Sequence, residues 1–182
     1  KQNFKEVIKR KLKIKGAYLI NLNKKVDHRG YFARIYCKKN LKDLKIDEKI
    51  KQINIAQTFN KGCIRGLHYQ KGKFAETKRI IVLQGKIFDV MIDLRKKSKS
   101  YLKKISINLS SKKLQLLVIP KGIAHGYQSL TKSTSVLYIN DNDYSKKYED
   151  GIRYDDKKFK INWPIKKIVI SKKDLKYKLL KN

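Results

Sequence analysis

Short segments in which apolar and polar residues alternate run through most of this chain, and they limit the fold more than any other feature. The clearest alternating sets are Leu12 with Ile14, Ile53 with Ile55, and Ile105 with Ile107 and Leu109. Successive side chains of a strand point to opposite faces, so each set predicts a strand with one buried face. Further apolar strands are predicted at residues 17–22, 116–119 and 135–139. Short strands at this spacing predict an all-β sandwich or jelly roll.

Two other local patterns predict a hairpin and a helix. Apolar runs at 80–83 and 87–94 flank Gln84-Gly85-Lys86, a pattern typical of a β-hairpin. Residues 38–49 are the best helix candidate, and Leu41, Leu44 and Ile46 would form its apolar side. No linker or repeat interrupts the 182 residues, so a single domain over 1–182 is expected.

The charge of the chain is strongly positive, with 47 basic and 15 acidic residues and a net charge of +32. Such a balance favours nucleic acid, an anionic membrane surface or an anionic small substrate as a partner. Only seven of the basic residues are arginine, and the lysines are spread along the whole chain. This distribution is typical of a lysine-rich solvated surface, so no nucleic-acid partner is expected.

The sequence carries no sign of membrane insertion or export. No apolar run approaches the ~18 residues of a membrane-spanning helix, and the first residues have no apolar core of a secretion signal. Cys37 and Cys63 do not make a disulfide framework and are expected to be small core residues. These features predict a protein of the reducing cytoplasm that does not contact a membrane.

Three segments carry candidate functional side chains. In residues 62–70 (GCIRGLHYQ), a bulge at Gly66 would bring Arg65 and His68 together. In residues 119–130 (IPKGIAHGYQSL), small neighbours leave room for a ligand beside the ring of His125. In residues 27–32 (DHRGYF), Arg29 beside a glycine would approach a phosphate closely. The alternatives are structural: a satisfied core histidine, a turn hydrogen bond and an exposed surface arginine.

Taken together and in order, seven motifs resemble those of the dTDP-4-dehydrorhamnose 3,5-epimerases and related sugar-nucleotide epimerases. They are DHRGYF (27–32), GCIRGLHYQ (62–70), GKIFDVMIDLR (85–95), IPKGIAHGYQSL (119–130), GIRYDD (151–156), INWP (161–164) and ISKKD (170–174). The resemblance implies an all-β, cupin-type jelly roll (a double-stranded β-helix) with a few short helices.

The resemblance also implies a reaction. The family epimerises C3, C5 or both in a nucleotide-linked 4-keto-6-deoxy sugar, a hexose or a heptose, for surface-polysaccharide synthesis. The ketone acidifies the neighbouring C–H bonds, a base removes a proton, and an acid returns one to the opposite face of the enolate. No cofactor is implied. The alternatives are a 3,4-ketoisomerase of the same sugars, and a non-catalytic basic jelly roll that binds nucleic acid or an anionic glycan.

The resemblance assigns four catalytic residues. His68 matches the general base, and Asp174 matches the carboxylate that orients it. Tyr138 matches the proton donor on the other face of the sugar. Lys78 matches a lysine near the C4 oxygen, where a fixed cation stabilises the enolate by ~3 kcal/mol or more.

The resemblance assigns the binding residues in the same way. Groups that hold the diphosphate and sugar match Arg29, Arg65 and His125, the aromatic that stacks on the nucleobase matches Tyr144, and further ligand contacts match Gln52, Asn54, Glu149 and Lys173. Enzymes of the family that use dTDP usually carry a glutamate at the nucleoside contact where this chain has Arg34. This charge reversal leaves dTDP, GDP and CDP open as the nucleotide.

Metal binding is not predicted, and a dimer is. Metal-binding cupins use a His-x-His pair, but the second position after His68 is Gln70, so no metal site is expected. Family members are typically homodimers that exchange strands. The apolar segment 17–22 is a candidate for the exchanged element, and an ordinary edge strand fits it equally well.

Overall fold

The computed structural model describes residues 9–43 and 49–180, and most of its strands lie in two facing antiparallel sheets. The first sheet has the strand order β1-β2-β10-β7-β12-β5. Its strands are β1 (Lys9–Lys11), β2 (Tyr18–Asn21), β5 (Gln52–Thr58), β7 (Lys78–Gln84), β10 (Gln115–Ile119) and β12 (Thr134–Asn140).

The second sheet has the order β13-β6-β11-β8-β9, and β14 adds to it in parallel beside β6. Its strands are β6 (Cys63–Gln70), β8 (Lys86–Asp93), β9 (Lys104–Ser110), β11 (Ile123–Ser129), β13 (Glu149–Gly151) and β14 (Val169–Ile170). A separate hairpin is formed by β3 (Lys24–Asp27) and β4 (Gly30–Ala33), and the helices are α1 (Lys38–Asp43) and α2 (Lys172–Leu175).

The main apolar core lies between the two sheets. Its buried members include Ile80, Val82 and Val136 from the first sheet and Met91 and Leu109 from the second. Two smaller clusters cover the outer faces, one beneath α1 and one beneath the segment that contains Phe159 and Trp163. The all-β prediction is therefore confirmed, with the sandwich held together mainly by the burial of aliphatic side chains.

The predicted hairpin at Gly85 is wrong, although both of its strands exist. β7 pairs with β10 and β12 in the first sheet, whereas β8 pairs with β9 and β11 in the second. The turn at Gly85 therefore carries the chain from one sheet to the other. Each strand is apolar along most of its length because it is a central strand with a neighbour on both sides.

One predicted element boundary needs correction. β1 ends at Lys11, and Leu12 and Ile14 lie in the turn that follows, where the Leu12 N–H donates to the Ala17 carbonyl over 3.0 Å. Helix α1 begins at Lys38 as predicted and buries Leu41. The rest of the predicted apolar side, Leu44 and Ile46, lies outside the described residues.

The buried face predicted for residues 53–56 is wrong, while the one for residues 105–109 is confirmed. In β9, Ile105, Ile107 and Leu109 face the core. In β5, Ile53 and Ile55 are 60% and 66% exposed. β5 is an edge strand of the first sheet, and Asn54, between the two isoleucines, lines a cavity, so alternation leaves both isoleucines largely exposed.

The β3–β4 hairpin also exposes apolar side chains. Val26 is 76%, Phe32 64% and Tyr31 55% exposed. By contrast, the segment suggested for exchange, residues 17–22, pairs through β2 with β1 and β10 of its own chain and buries Leu19 and Ile20. The hairpin and β5 thus carry five of the exposed large apolar side chains.

Neither α1 nor α2, the α-helices of the described residues, is long and apolar enough to cross a membrane.

Replacing Gly85 with alanine should destabilise the fold by about 2 kcal/mol or more. Gly85 has φ +80°, and a Cβ there would lie 2.4 Å from Thr131 Oγ1 and 2.8 Å from Thr134 Oγ1. Gly30 also has positive φ but open space around it, so Gly30→Ala is the matched control and should cost less. Urea unfolding of the two variants measures the difference, and equal losses would contradict this role of Gly85.

Candidate active site

A cavity of about 500 Å³ opens between the two sheets, and most of the predicted site residues line it. Polar and charged side chains dominate its wall. From the predicted set it is lined by Asn54, Arg65, His68, Lys78, His125, Tyr138, Tyr144, Glu149, Lys173 and Asp174.

The closest pair in the cavity joins β6 to α2. His68 Nε2 lies 2.7 Å from Asp174 Oδ1, and the other carboxylate oxygen accepts the Gly66 N–H over 3.1 Å. Ser171 begins the helix as its N-cap, since its Oγ accepts the backbone N–H of Asp174 over 3.1 Å. The cap leaves the Asp174 side chain free to turn toward β6.

The environment of Asp174 favours its ionised form. Burial alone would raise the pKa of this carboxyl, but the hydrogen bond and charge of His68, the Gly66 N–H and the charge of Lys173 together lower it. The carboxylate is 6% exposed and His68 26% exposed. An ionised, buried carboxylate of this kind fixes the orientation of the imidazole ring.

An irregularity in β6 brings two functional side chains to the same cavity. Arg65 and His68 are three residues apart, so in a regular strand they would lie on opposite faces. The register of β6 against β11 shifts between the pairs His125↔His68 and Tyr127↔Arg65. The bulge predicted near Gly66 is thus confirmed, and both side chains line the cavity.

Tyr138 faces the cavity from the opposite sheet. It lies on β12 of the first sheet, whereas His68 lies on β6 of the second. Burial raises the pKa of Tyr138 well above its ordinary value, the nearby Tyr127 and Asp89 raise it further, and Arg65 opposes the shift. The phenol is therefore protonated at neutral pH and able to donate a proton.

Lys78, the first residue of β7, brings a cation close to the His68–Asp174 dyad. Its Nζ donates to the His68 carbonyl over 3.3 Å and lies 3.5 Å from Glu76 Oε1. Burial lowers the pKa of Lys78, and the charge and hydrogen bond of Glu76 oppose that shift.

A second histidine–carboxylate pair lies deeper. His125 Nε2 is 2.7 Å from Asp89 Oδ2, and the two side chains are 3% and 0% exposed. The His125 ring centroid is 6.4 Å from that of Tyr138 in an edge-on arrangement. Asp89 thereby holds one ring nitrogen of His125 within the strand pair β8–β11.

The mouth of the cavity carries an exposed aromatic and a charged pair. Tyr144 is 56% exposed, and its hydroxyl donates to Glu149 Oε2 over 3.0 Å. Lys173 Nζ donates to the other oxygen of Glu149 over 2.7 Å. Arg65 also lines the cavity, and its Nε donates to Thr58 Oγ1 over 3.0 Å.

Three predicted residues do not line the cavity of their own chain. Arg29 lies on the exposed hairpin and pairs with Asp27 over 2.7 Å. Arg34 lines a separate small cavity with Leu41 and other apolar residues. Gln52 contacts the cavity residue Asn54, since its Oε1 accepts the Asn54 side-chain N–H over 3.2 Å.

Residue patterns missed three polar members of the site. Glu76 and Asn140 line the cavity, and Asp89 supports His125. A usable signal existed for two of them. Glu76 is two residues from Lys78 and so on the same side of an extended chain. Asp89 interrupts the apolar run of 87–92, and a buried carboxylate needs a partner.

Residues 9–43 and 49–180 hold no group of three histidine, cysteine or acidic side chains arranged to bind a metal ion.

The fold and the cavity together define a class of protein. A jelly-roll sandwich holds an orienting carboxylate, a histidine, a protonated tyrosine and a lysine around one ligand-sized cavity. These groups can take a proton on one side, return one on the other and stabilise negative charge between them. Groups of this kind are expected in an isomerase that removes a proton from a carbon atom and returns one to it.

Comparison with known proteins identifies the family. The sequence profile of dTDP-4-dehydrorhamnose 3,5-epimerase matches residues 11–182. The chain is 36% identical over 151 residues to the dTDP-4-dehydrorhamnose 3,5-epimerase of Shigella flexneri, covering 82% of each protein. It is 33% identical over 174 residues to that of Methanothermobacter thermautotrophicus, covering 94% of this chain and 93% of the relative.

Solved structures agree with the sequence comparison. The dTDP-4-dehydrorhamnose 3,5-epimerase of Bacillus anthracis, solved with TDP and PPi bound, superposes with a TM-score of 0.93. It is 36% identical, and the match covers 96% of this chain and 99% of that one. The enzyme of Legionella pneumophila, in complex with dTDP-4-keto-L-rhamnose, has a TM-score of 0.90 at 30% identity, over 95% and 92% of the two chains.

The chain belongs to the dTDP-4-dehydrorhamnose 3,5-epimerase family. The predicted cupin-type jelly roll and the predicted isomerase class are thereby confirmed. Family membership favours an epimerase over the ketoisomerase and the basic binding module.

Asp174→Asn should reduce stability at neutral pH by about 2 kcal/mol, because a buried charged hydrogen bond is lost. The pKa of Asp174 is lower in the folded than in the unfolded chain. Its stabilising effect is therefore complete above the unfolded pKa of about 4 and disappears as the pH falls through the folded value. Urea unfolding at pH 7 and at pH 3 should show a difference from the native chain that shrinks in acid.

The matched control is Asp155→Asn, which removes a carboxylate from an exposed pair with Arg153. It should change stability by less than about 0.5 kcal/mol. A native-like stability of Asp174→Asn at pH 7 would show that the dyad does not support the fold.

Proposed function

We propose that this protein epimerises a dTDP-linked 4-keto-6-deoxy sugar at C3, C5 or both, by proton removal and return through an enolate. The observation that carries the proposal is the cavity in which His68, held by Asp174, and Tyr138 approach from opposite sheets. The family of the chain and the nucleotide and sugar found in its solved relatives agree with this substrate.

His68 is the general base in this proposal. Asp174 occupies one ring nitrogen, which leaves the lone pair of the other nitrogen available for the substrate proton. Once the ring is protonated, the ionised carboxylate at 2.7 Å stabilises the imidazolium. The ketone at C4 acidifies the protons on both neighbouring carbons, so one base can serve either position.

Lys78 stabilises the negative charge that forms on the C4 oxygen. It lies in a largely desolvated part of the cavity, with its side chain 12% exposed, where a fixed cation has more effect than in water. Tyr138 then returns a proton to the opposite face of the enolate. Because its pKa is raised, the phenol stays protonated until it donates its proton to the enolate carbon.

Cationic groups along the cavity hold the diphosphate. Arg65 lines the cavity from β6, and Lys173 lies at the mouth, where it and Tyr144 both bind Glu149. In this proposal the guanidinium and ammonium bind phosphate oxygens, and the exposed Tyr144 ring stacks on the nucleobase. Asn54, Glu149 and His125 complete the contacts with sugar and nucleoside.

We further propose that the active form is a homodimer. The exposed isoleucines of β5 and the exposed apolar residues of the β3–β4 hairpin leave an edge strand and a hairpin available for a second copy. If the hairpin of one protomer crosses the β5 edge of its partner, it carries Arg29 toward the partner's cavity. This arrangement accounts for a predicted phosphate ligand that lies outside the cavity of its own chain.

The proposed setting is the cytoplasmic synthesis of an activated sugar for surface polysaccharide. In this proposal residues 1–182 form one domain, because both sheets contribute side chains to the cavity.

The test of the reaction is solvent deuterium exchange followed by proton NMR. The protein is incubated in D₂O with dTDP-, GDP- and CDP-linked 4-keto-6-deoxyglucose, each made in situ by a dehydratase. Exchange at C3, C5 or both is expected with the dTDP sugar. His68→Asn should reduce exchange by ~10³-fold or more, since the base is lost while the fold is kept.

Asp155→Asn serves again as the matched control and should exchange at the native rate. Exchange that survives in His68→Asn would remove His68 as the base. Absence of exchange with every sugar in the native protein would overturn the proposed reaction.

The test of the dimer is a charge on the exposed face of β5. Ile53→Lys should convert the protein to monomers in sedimentation experiments and lower exchange at least ~10-fold, because a buried, unpaired charge opposes association. Leu179, also exposed, provides the control Leu179→Lys, which should stay dimeric. A dimeric Ile53→Lys protein would contradict the assignment of this surface.

A further inference from the structure

Glu76 lies in the deep part of the cavity beside Lys78. It lies two residues before Lys78, the first residue of β7. Glu76 Oε1 lies 3.5 Å from Lys78 Nζ, and the two side chains are 7% and 12% exposed. Both line the cavity, so the pair faces the space in which the proposed substrate would bind.

The geometry of the ammonium leaves it able to bind one more group. An ammonium has three N–H donors, and Lys78 directs one at the His68 carbonyl and one at Glu76. The remaining donor is available to an oxygen in the cavity. The carboxylate therefore fixes the direction of the Lys78 side chain as well as supplying charge.

The charge balance around Lys78 gives the carboxylate a second effect. Burial favours the neutral amine and lowers the pKa of Lys78, whereas Glu76 and, from β13, Glu149 raise it and Lys173 from α2 lowers it. The remaining titratable neighbours of the pair are the acidic Asp141, which faces Glu76, and the ring of His68 beyond its carbonyl. Of the two carboxylates that raise the pKa of Lys78, Glu76 has the larger effect.

We propose that Glu76 is a positioning residue for the epimerisation, and that its carboxylate keeps Lys78 an ammonium aimed at the substrate oxygen. The inference rests on the proposed role of Lys78. A neutral amine in the same place could not stabilise the enolate oxygen as a cation does. Without its partner, the same burial would lower the pKa of the ammonium further.

A comparison within the cavity shows why Glu76 is needed there. The other lysine–carboxylate pair, Lys173 with Glu149, lies at the mouth, where the lysine side chain is 53% exposed. Water can sustain that charge. Lys78 is largely withdrawn from water, so the protein itself must supply the counter-charge.

The direct test is the pH profile of Lys78 acylation by acetic anhydride, which modifies only the neutral amine. The chain is then unfolded and its remaining lysines are acetylated with deuterated anhydride, so trypsin cleaves only after arginine. Fragment ions of the peptide of residues 66–79 give the fraction of light acetyl on Lys78. In Glu76→Gln the midpoint of this profile should fall by about one pH unit or more relative to the native chain. Asp155→Asn, which removes an equal charge elsewhere, should leave it unchanged.

Glu76→Ala is a second variant that should give the same shift, and circular dichroism checks the folding of both. An unshifted midpoint in a folded Glu76 variant would overturn the inference. This readout does not depend on turnover. If the native protein exchanges no sugar proton, the proposed function fails while the acylation profile still decides whether Glu76 controls the charge of Lys78.

Exchange kinetics connect the pair to the reaction. In Glu76→Gln the high-pH limb of kcat should move to lower pH by the same amount as the acylation midpoint, with KM changed less than ~3-fold. In a Lys78→Arg background the limb should not move, because a guanidinium stays charged. A uniform loss of kcat at every pH would indicate a merely structural role and overturn the positioning role.

Discussion

The structure depends on burying aliphatic side chains between two sheets while leaving a polar space between the same strands. Along β7 the inward side chains change from Val82 and Ile80 in the core to Lys78 in the cavity. Along β12 they change from Val136 to Tyr138. The core thus fixes the strands that present the reacting groups, and their spacing is inherited from sheets that cannot easily move.

Three acid–base pairs lie inside the sandwich. Asp174 faces His68, Asp89 faces His125, and Glu76 faces Lys78, each within the distance of a hydrogen bond or ion pair. Such pairing offsets the cost of desolvation and sets the protonation states that acid–base chemistry needs. The net charge of +32 belongs mostly to exposed lysines, so it provides a positive field for an anionic substrate and does not describe the site itself.

Local sequence patterns predicted strands well and their partners poorly. The alternation in residues 105–109 identified both β9 and its buried face. The same pattern at Ile53 and Ile55 predicted a buried face that is exposed, because alternation distinguishes two faces without saying what covers each. Sheet membership of β7 and β8 depends on pairing with residues far along the chain, which no local window contains. The site residues were predicted mainly from the order of the seven motifs along the chain. No local pattern could pair His68 with Asp174, because they are 106 residues apart.

The two residues of the dyad lie on elements that are far apart along the chain. Asp174 lies on α2, which follows every strand in the described residues, while its partner His68 lies on β6. During synthesis both sheets can therefore assemble around a histidine that has no carboxylate to orient it. The dyad can form only when α2 has emerged from the ribosome and docked beside β6. The order of the elements thus separates the folding of the two sheets from the formation of the His68–Asp174 pair.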